Sequence, residues 1–339
     1  MKVLFLLAIA AAAVLLPAQA PQAQAPPLEF RAGTRVVEIS IIATHKLNKF
    51  ALRDLLTPPV NDLRAEDLRL FDNGVEQAIA SFEKLGQGGA SAAGAAALPP
   101  QRLSIIVLDC LNTGWVAQIF GRDGVSKMLT RETLKNPPAG GRIAIFALGE
   151  NLHLLHDLST DYVSLRAAVK KYEGERPQNG LGSLIPNFRN RILDTFEAMA
   201  QIAQLAKSCP GKKTLLWISN GVPAPRDLQK ELVQTVRELG GANVTLYFVN
   251  PGGMDSSTPD PMDMAEQTGG RTLSNSNDVG SMIRQAMDEA AGGRQTGSYS
   301  LTFVPKTYLE DGSFHDLRLQ TSRKGVVLHY RTSYSADHH

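Results

Sequence analysis

Four apolar runs, Leu103–Leu108, Ile143–Leu148, Thr214–Ser219 and Val244–Val249, recur through the middle of this chain with helical patterns between them. Each is apolar almost throughout, where a half-exposed strand would alternate apolar with polar residues. Strands that are apolar on both faces must be covered on both faces. The segments Gln118–Leu134, Tyr162–Tyr172, Asn190–Lys207, Arg226–Leu239 and Val279–Ala290 carry the amphipathic period that can cover them. This rhythm predicts an α/β domain over residues 102–293, built on a doubly wound, mostly parallel sheet. One stretch departs from it. "FALGENLHLLHDLST" (Phe146–Thr160) reads as two strands joined at Gly149-Glu150-Asn151, which puts one antiparallel strand at the sheet edge.

The flanks are β in character. Val36–Thr44 is rich in β-branched residues, and Leu68–Leu85 has two β-like halves around Asp72-Asn73-Gly74. Asn-Gly is a hairpin signal because both residues accept positive φ. After Gly297, "SYSLTFVPK", "FHDLRLQTS" and "VVLHYRTSY" follow in turn. Neither flank can bury a face alone, so residues 28–85 and 297–335 are expected to pair into one small β domain. Alternation in "FHDLRLQ" sets His315, Leu317 and Leu319 on its buried face. Residues 86–101, "GQGGASAAGAAALPPQ", have the small, flexible composition of a linker.

Lys2, the apolar run Val3–Leu16 and Ala18-Gln19-Ala20 have the form of a secretory signal peptide, assigned to residues 1–25. Export to the periplasm or the medium is therefore expected, with no membrane span after cleavage. A net charge of +2, without a basic stripe interleaved with aromatics, gives no basis for a nucleic-acid partner. The two cysteines, Cys110 and Cys209, fall after the end of one parallel strand and before the start of another. Those ends lie roughly 17–20 Å apart, whereas a disulfide needs about 4.4–6.8 Å between Cα atoms. Two free thiols are expected.

Three further stretches match a known pattern in the right order. They are "LRAEDLRLFDNGVEQAIASFEKL" (63–85), "PGKKTLLWISNGV" (210–222) and "DGSFHDLRL" with "GVVLHYRTSY" (311–334). Over nearly all of its exported length the chain resembles the von Willebrand factor type A (VWA)-related proteins abundant in Acidobacteria. The resemblance implies a VWA domain, Rossmann-like in its α/β architecture, that serves as a binding module. Such domains hold a metal at the C-terminal sheet edge through D-x-S-x-S, a threonine from a later loop and a second aspartate. In "DCLNT", Asp109 matches the first aspartate and Thr113 the second serine, while Leu111 stands where the first serine would be. Asn190 stands at the threonine position and Asn220 at that of the second aspartate. Mg²⁺ and Ca²⁺ need hard oxygen ligands, and here one carboxylate of two remains. The implied metal site is degenerate. Asp109, Thr113, Asn190, Asn220 and Trp115 then form a ligand-binding edge, with Asp109 and Thr113 as the residual metal ligands.

Other readings of the same residues compete. Asp109 is either a metal ligand or a strand-end carboxylate that accepts backbone N–H bonds. "DCLNT" also fits the D-x-D-x-T motif of haloacid-dehalogenase-type phosphotransferases, with Asp109 as nucleophile, but Leu111 removes the general acid. Cys110 has no well-placed histidine, and there is no G-x-S-x-G elbow. His153 and His156 point to opposite faces of one strand and share no metal. Trp217 and Phe120 read as core; Trp115, in the loop after Asp109, is a candidate contact. The Pro/Gly-rich loop Asn250–Asp263 falls at the same edge. The sequence thus points to an exported, non-enzymatic VWA-type module with an unnamed protein partner and no cofactor. A Mg- or Ca-dependent ligand-binding domain is the runner-up, and a phosphatase-like hydrolase at Asp109 the remoter alternative.

Overall fold

Strand β1 (Val37–His45) is followed by β2 (Leu68–Asp72), β3 (Val75–Gln77) and β4 (Ile79–Lys84). The α/β block then runs β5 (Arg102–Asp109), α1 (Trp115–Lys135), β6 (Gly141–Leu148), β7 (Leu152–Ser159), α2 (Tyr162–Lys171), α3 (Phe188–Lys207) and β8 (Lys213–Ile218). It closes with α4 (Gln229–Gly241), β9 (Val244–Val249), the single turn α5 (Met264–Gln267), β10 (Thr272–Leu273) and α6 (Val279–Ala290). The tail adds β11 (Ser298–Phe303), β12 (Phe314–Thr321), β13 (Val326–Tyr330) and β14 (Ser333–Ser335). This computed structural model describes residues 36–46, 58–85, 102–135, 141–175, 188–222, 226–253, 264–274, 276–292, 297–306 and 313–336. The expected signal peptide and the 86–101 linker lie outside the described residues.

The molecule is mixed α/β, with one six-stranded sheet and further antiparallel sheets. The six strands lie in the order β10-β9-β8-β5-β6-β7. The first in sequence, β5, is central and pairs parallel with both β6 and β8, while β7 runs antiparallel to β6 at the edge. That winding, outward first to one side and then to the other, is consistent with a Rossmann-like order. Ile106 and Leu216 face one side, where Val125, Met128, Leu165 and Ile283 of α1, α2 and α6 cover them. Val107, Leu215 and Trp217 face the other, under Met199 and Ile202 of α3 and Leu232 of α4. Continuous apolar strands are thus explained: both faces are buried.

Helix α1 starts at Trp115, three residues before the expected Gln118, and keeps two glycines in its interior. A Cβ on Gly124 would come within 2.6 Å of Val279, so α1 and α6 approach closely because that side chain is missing. The element α5–β10 gave no expectation from sequence. Four and two residues are too few for any periodicity to register.

The flanks interleave. One sheet has the order β13-β1-β11-β4 and another β14-β12-β2-β3, so N-terminal and tail strands alternate. Ile39 pairs with Leu301 and Leu70 with Leu319. Asn73 and Gly74 both take positive φ, 47° and 80°, as a two-residue hairpin turn of this kind requires. His315, Leu317 and Leu319 are buried, and Asp72, His315 and Tyr334 share a buried hydrogen-bonded cluster. The β region is not set apart from the α/β block: residues from Arg35 onward group as one compact unit. The cause lies in β1, whose Ile39 and Ile41 enter the β core while Ile42 enters the α/β core beside Ile106 and Ile145. Among the described residues no helix is long and apolar enough to cross a membrane.

Candidate functional site

Strand β5 carries Asp109 to the C-terminal edge of the sheet, next to the crevice with β8. The register sets Val107 opposite Trp217, and Asp109 and Ser219 follow two residues later on the same face. Asp109 is only 2% exposed. Its Oδ1 accepts from the backbone N–H of Asn112 at 2.9 Å and from Asn112 Nδ2 at 3.2 Å. Its Oδ2 accepts from Ser219 Oγ at 2.7 Å, Trp217 Nε1 at 3.0 Å and Asn112 Nδ2 at 3.0 Å. An ionised carboxylate has about four lone-pair positions, and four donor groups already occupy them. Burial pushes the Asp109 carboxyl above its ordinary value, against the pull of Ser219, Asn112 and Trp217. Both oxygens of Asp109 are thus engaged within the cluster.

The other expected edge residues divide. Thr113, 3% exposed, accepts the backbone N–H of Asn220 at 3.2 Å, so these two do come together. Among the described residues the Oδ1 of Asn220 is buried without a hydrogen-bond partner. Asn190 is exposed on the first turn of α3 and makes none of these bonds. The α3 residue that reaches the cluster is Thr195, whose Oγ1 accepts from Asn112 Nδ2 at 2.8 Å. Leu111 packs against the core, as a hydrocarbon in that position would.

Trp115 is half-buried under a strap formed by the residues after α2. Gln118 Nε2 holds the carbonyls of Cys110, Thr113 and Glu175 at 3.1, 2.8 and 3.0 Å. Arg122 bonds the carbonyl of Tyr172 and stacks over the Trp115 ring. A side chain at Gly174 would meet Gln118 Oε1 at 2.7 Å and Trp115 Cζ3 at 3.6 Å. Trp115 thus serves the strap, and the exposed apolar surface lies one turn on. Val116, Ile119 and Phe120 are 62%, 43% and 53% exposed. Their spacing places them on one face of α1. Phe120 is not core, which corrects the sequence reading. The inward face of α1 belongs instead to Gly121, Gly124 and Val125.

Three residues escaped the sequence reading as partners of Asp109: Asn112, Trp217 and Ser219. For Trp217 a signal existed, because a buried indole N–H needs an acceptor, and Asp109 is the carboxylate of the neighbouring strand end. Cys110 and Cys209 are free thiols; burial pushes the Cys110 thiol up, and its Sγ lies 3.4 Å from Tyr172 Oη. His153 and His156 turn to different partners, Glu175 and Ser164. Among the described residues there is no group of three His, Cys, Asp or Glu side chains able to hold a metal. Asn250, at the head of the Pro/Gly loop, bonds Gly252 N–H through Oδ1 at 2.8 Å; residues 254–263 lie outside the described residues.

No protein-family model matches the chain, and no curated protein matches it significantly. Several solved structures are similar. An aerotolerance-related membrane protein from Bacteroides fragilis shares 12% identity over 56% of this chain and 98% of its own, with a TM-score of 0.37. The conserved hypothetical protein BatB from Bacteroides thetaiotaomicron shares 9% over 56% and 98%, with a TM-score of 0.35. Proximal thread matrix protein 1 from the mussel byssus shares 11% over 56% and 48%, with a TM-score of 0.37. Similarity at this level assigns no role to the present chain.

Proposed function

We propose that this chain is an exported, non-enzymatic protein-interaction module of VWA type whose metal site has become a closed hydrogen-bond cluster. One observation carries the reading: both oxygens of Asp109 are taken by Trp217, Ser219 and Asn112. A divalent cation would have to displace those donors, with Leu111 supplying no oxygen in return. The VWA assignment is supported by the motifs of residues 63–85, 210–222 and 311–334 and by the strand order around β5. A phosphoryl-transfer role would need Asp109 accessible as a nucleophile, and a carboxylate 2% exposed is a poor candidate. Export rests on the N-terminal sequence alone.

With metal capture set aside, the contact surface at this edge is the apolar face Val116, Ile119 and Phe120. Large apolar side chains exposed together mark interaction sites; the partner should present apolar side chains of its own. The runner-up, Mg- or Ca-dependent binding, is favoured by one feature, the unpartnered Oδ1 of Asn220 beside Thr113.

Two measurements separate them. Millimolar Mg²⁺ or Ca²⁺ should leave the melting temperature unchanged, whereas a ligand at a hundred times its Kd would add about 2.7 kcal/mol. A saturable rise that disappears in Asp109→Ala would establish the metal-dependent reading. In parallel, the purified protein should capture the same partner from the native envelope with or without chelator, and Phe120→Asp should lose it. Capture unaffected by Phe120→Asp would move the contact surface elsewhere.

A further inference from the structure

A groove of about 1220 Å³ lies between α3 and α4, where β8 and β9 begin, at the opposite end of the sheet from Asp109. Ala200, Gln204 and Lys207 of α3 line one side, and Arg237 and Glu238 of α4 the other. Lys213, the first residue of β8, also lines it, although that residue is only 4% exposed. Its Nζ donates to the Cys209 carbonyl at 2.8 Å, its one hydrogen bond among the described residues. An ammonium has three donors, so two remain for whatever enters the groove. No carboxylate among the described residues pairs with it, and burial draws the amine below its ordinary value.

Capping the end of α3 explains part of this arrangement, since a lysine near a helix C-terminus bonds its last carbonyls. It does not explain all of it. Among the described residues that line the groove, Lys207, Lys213 and Arg237 face one carboxylate, Glu238, which already accepts from Gln234 Nε2 at 2.8 Å. The C-terminal ends of α3 and α4 contribute roughly half a negative charge each. About one positive charge is left over, which suits a monoanion better than a dianion. Two free donors on one ammonium match a carboxylate, and the apolar remainder of a ligand would meet Ala200, Ala203 and the Phe314 ring under Arg237.

We propose that the groove between α3 and α4 binds a small organic monocarboxylate, with its carboxylate on Lys213. Binding holds Lys213 protonated, so affinity should fall as pH rises through the amine's lowered range. The test is calorimetric titration of the full chain with benzoate and with hexanoate at fixed ionic strength. Benzamide and hexanamide are the uncharged controls, and sulfate the dianion. Saturable binding of at least one carboxylate, with no response to its amide and at least tenfold weakening in Lys213→Met, is the expected result. Should Lys213→Met fail to fold, Arg237→Gln on the exposed face of α4 must weaken binding several-fold. The proposal is overturned if neither carboxylate binds beyond the chloride background, if the amides or sulfate bind as well, or if the folded variants bind undiminished.

Discussion

Asp109 is a buried acid held by neutral donors, and that makes it a measurable pH device. Its unfolded carboxyl titrates near 3.8, and burial raises the native one. Between the two values the native state keeps a proton that the unfolded chain has lost. The stability linked to this group is therefore full below the unfolded value and declines as pH rises through the native one. Asp109→Asn removes the titration. Urea unfolding at pH 4 and pH 7 should show the wild-type advantage over Asp109→Asn shrinking at the higher pH. A wild-type advantage that grows with pH would mean the donors outweigh burial. The sequence made Asp109 legible as a strand-end carboxylate, since four apolar residues lead into it. Its partners were hidden one step further on, because Trp217 and Ser219 become neighbours only once Val107 is known to sit opposite Trp217.

Helix α1 sets the limit of what pattern can say about an element. Its apolar residues fall nearly all round, so periodicity places a helix there without choosing the inward face. Phe120 loses that place to two glycines: contacts at Gly121 and Gly124 bring the backbone itself against Ile218 and Val279. Gly124→Ala therefore sets two effects against each other. Helix propensity would gain about 1 kcal/mol, while overpacking costs about 1–3 kcal/mol. With a contact of 2.6 Å to Val279 Cβ, overpacking should win, leaving a net loss of up to about 2 kcal/mol in urea melts. Adding Val279→Gly, which removes both the Cβ and the Cγ1 that lie 2.6 Å away, tests the cause. In that background Gly124→Ala should become neutral or stabilising, and an undiminished loss would place the strain elsewhere. The strands β5, β6, β8 and β9 were legible for the converse reason, since residues buried on both faces leave no orientation to choose.

At the scale of the molecule, β1 lies between β13 and β11, and β2 between β12 and β3. Deleting residues 297–339 removes both partners of β1 at once. Limited proteolysis of that truncation should digest residues 28–85 while the α/β block persists; a flank as resistant as in the full chain would end this account. Thiol titration of the denatured, unreduced protein should find both Cys110 and Cys209. A monomer with neither thiol would contradict their placement at opposite ends of the sheet. The pairing of the flanks was legible as a need, because neither could bury a face alone. That β1 also feeds Ile42 into the α/β core was not, since an unbroken apolar run does not say which of two cores each side chain joins.

The interleaved flanks also set a timetable for synthesis. Roughly 250 residues separate His45 from Ser298, so at about 5–20 residues per second β1 waits on the order of 10–50 s for β11 to be made. Through that interval Ile39, Ile41 and Ile42 have neither β11 nor β13 to pair with, and a β-branched apolar segment left unpaired is prone to self-association. A chain halted before Ser298 should therefore leave β1 open to protease and to a holding chaperone, and one extended past Tyr330 should not.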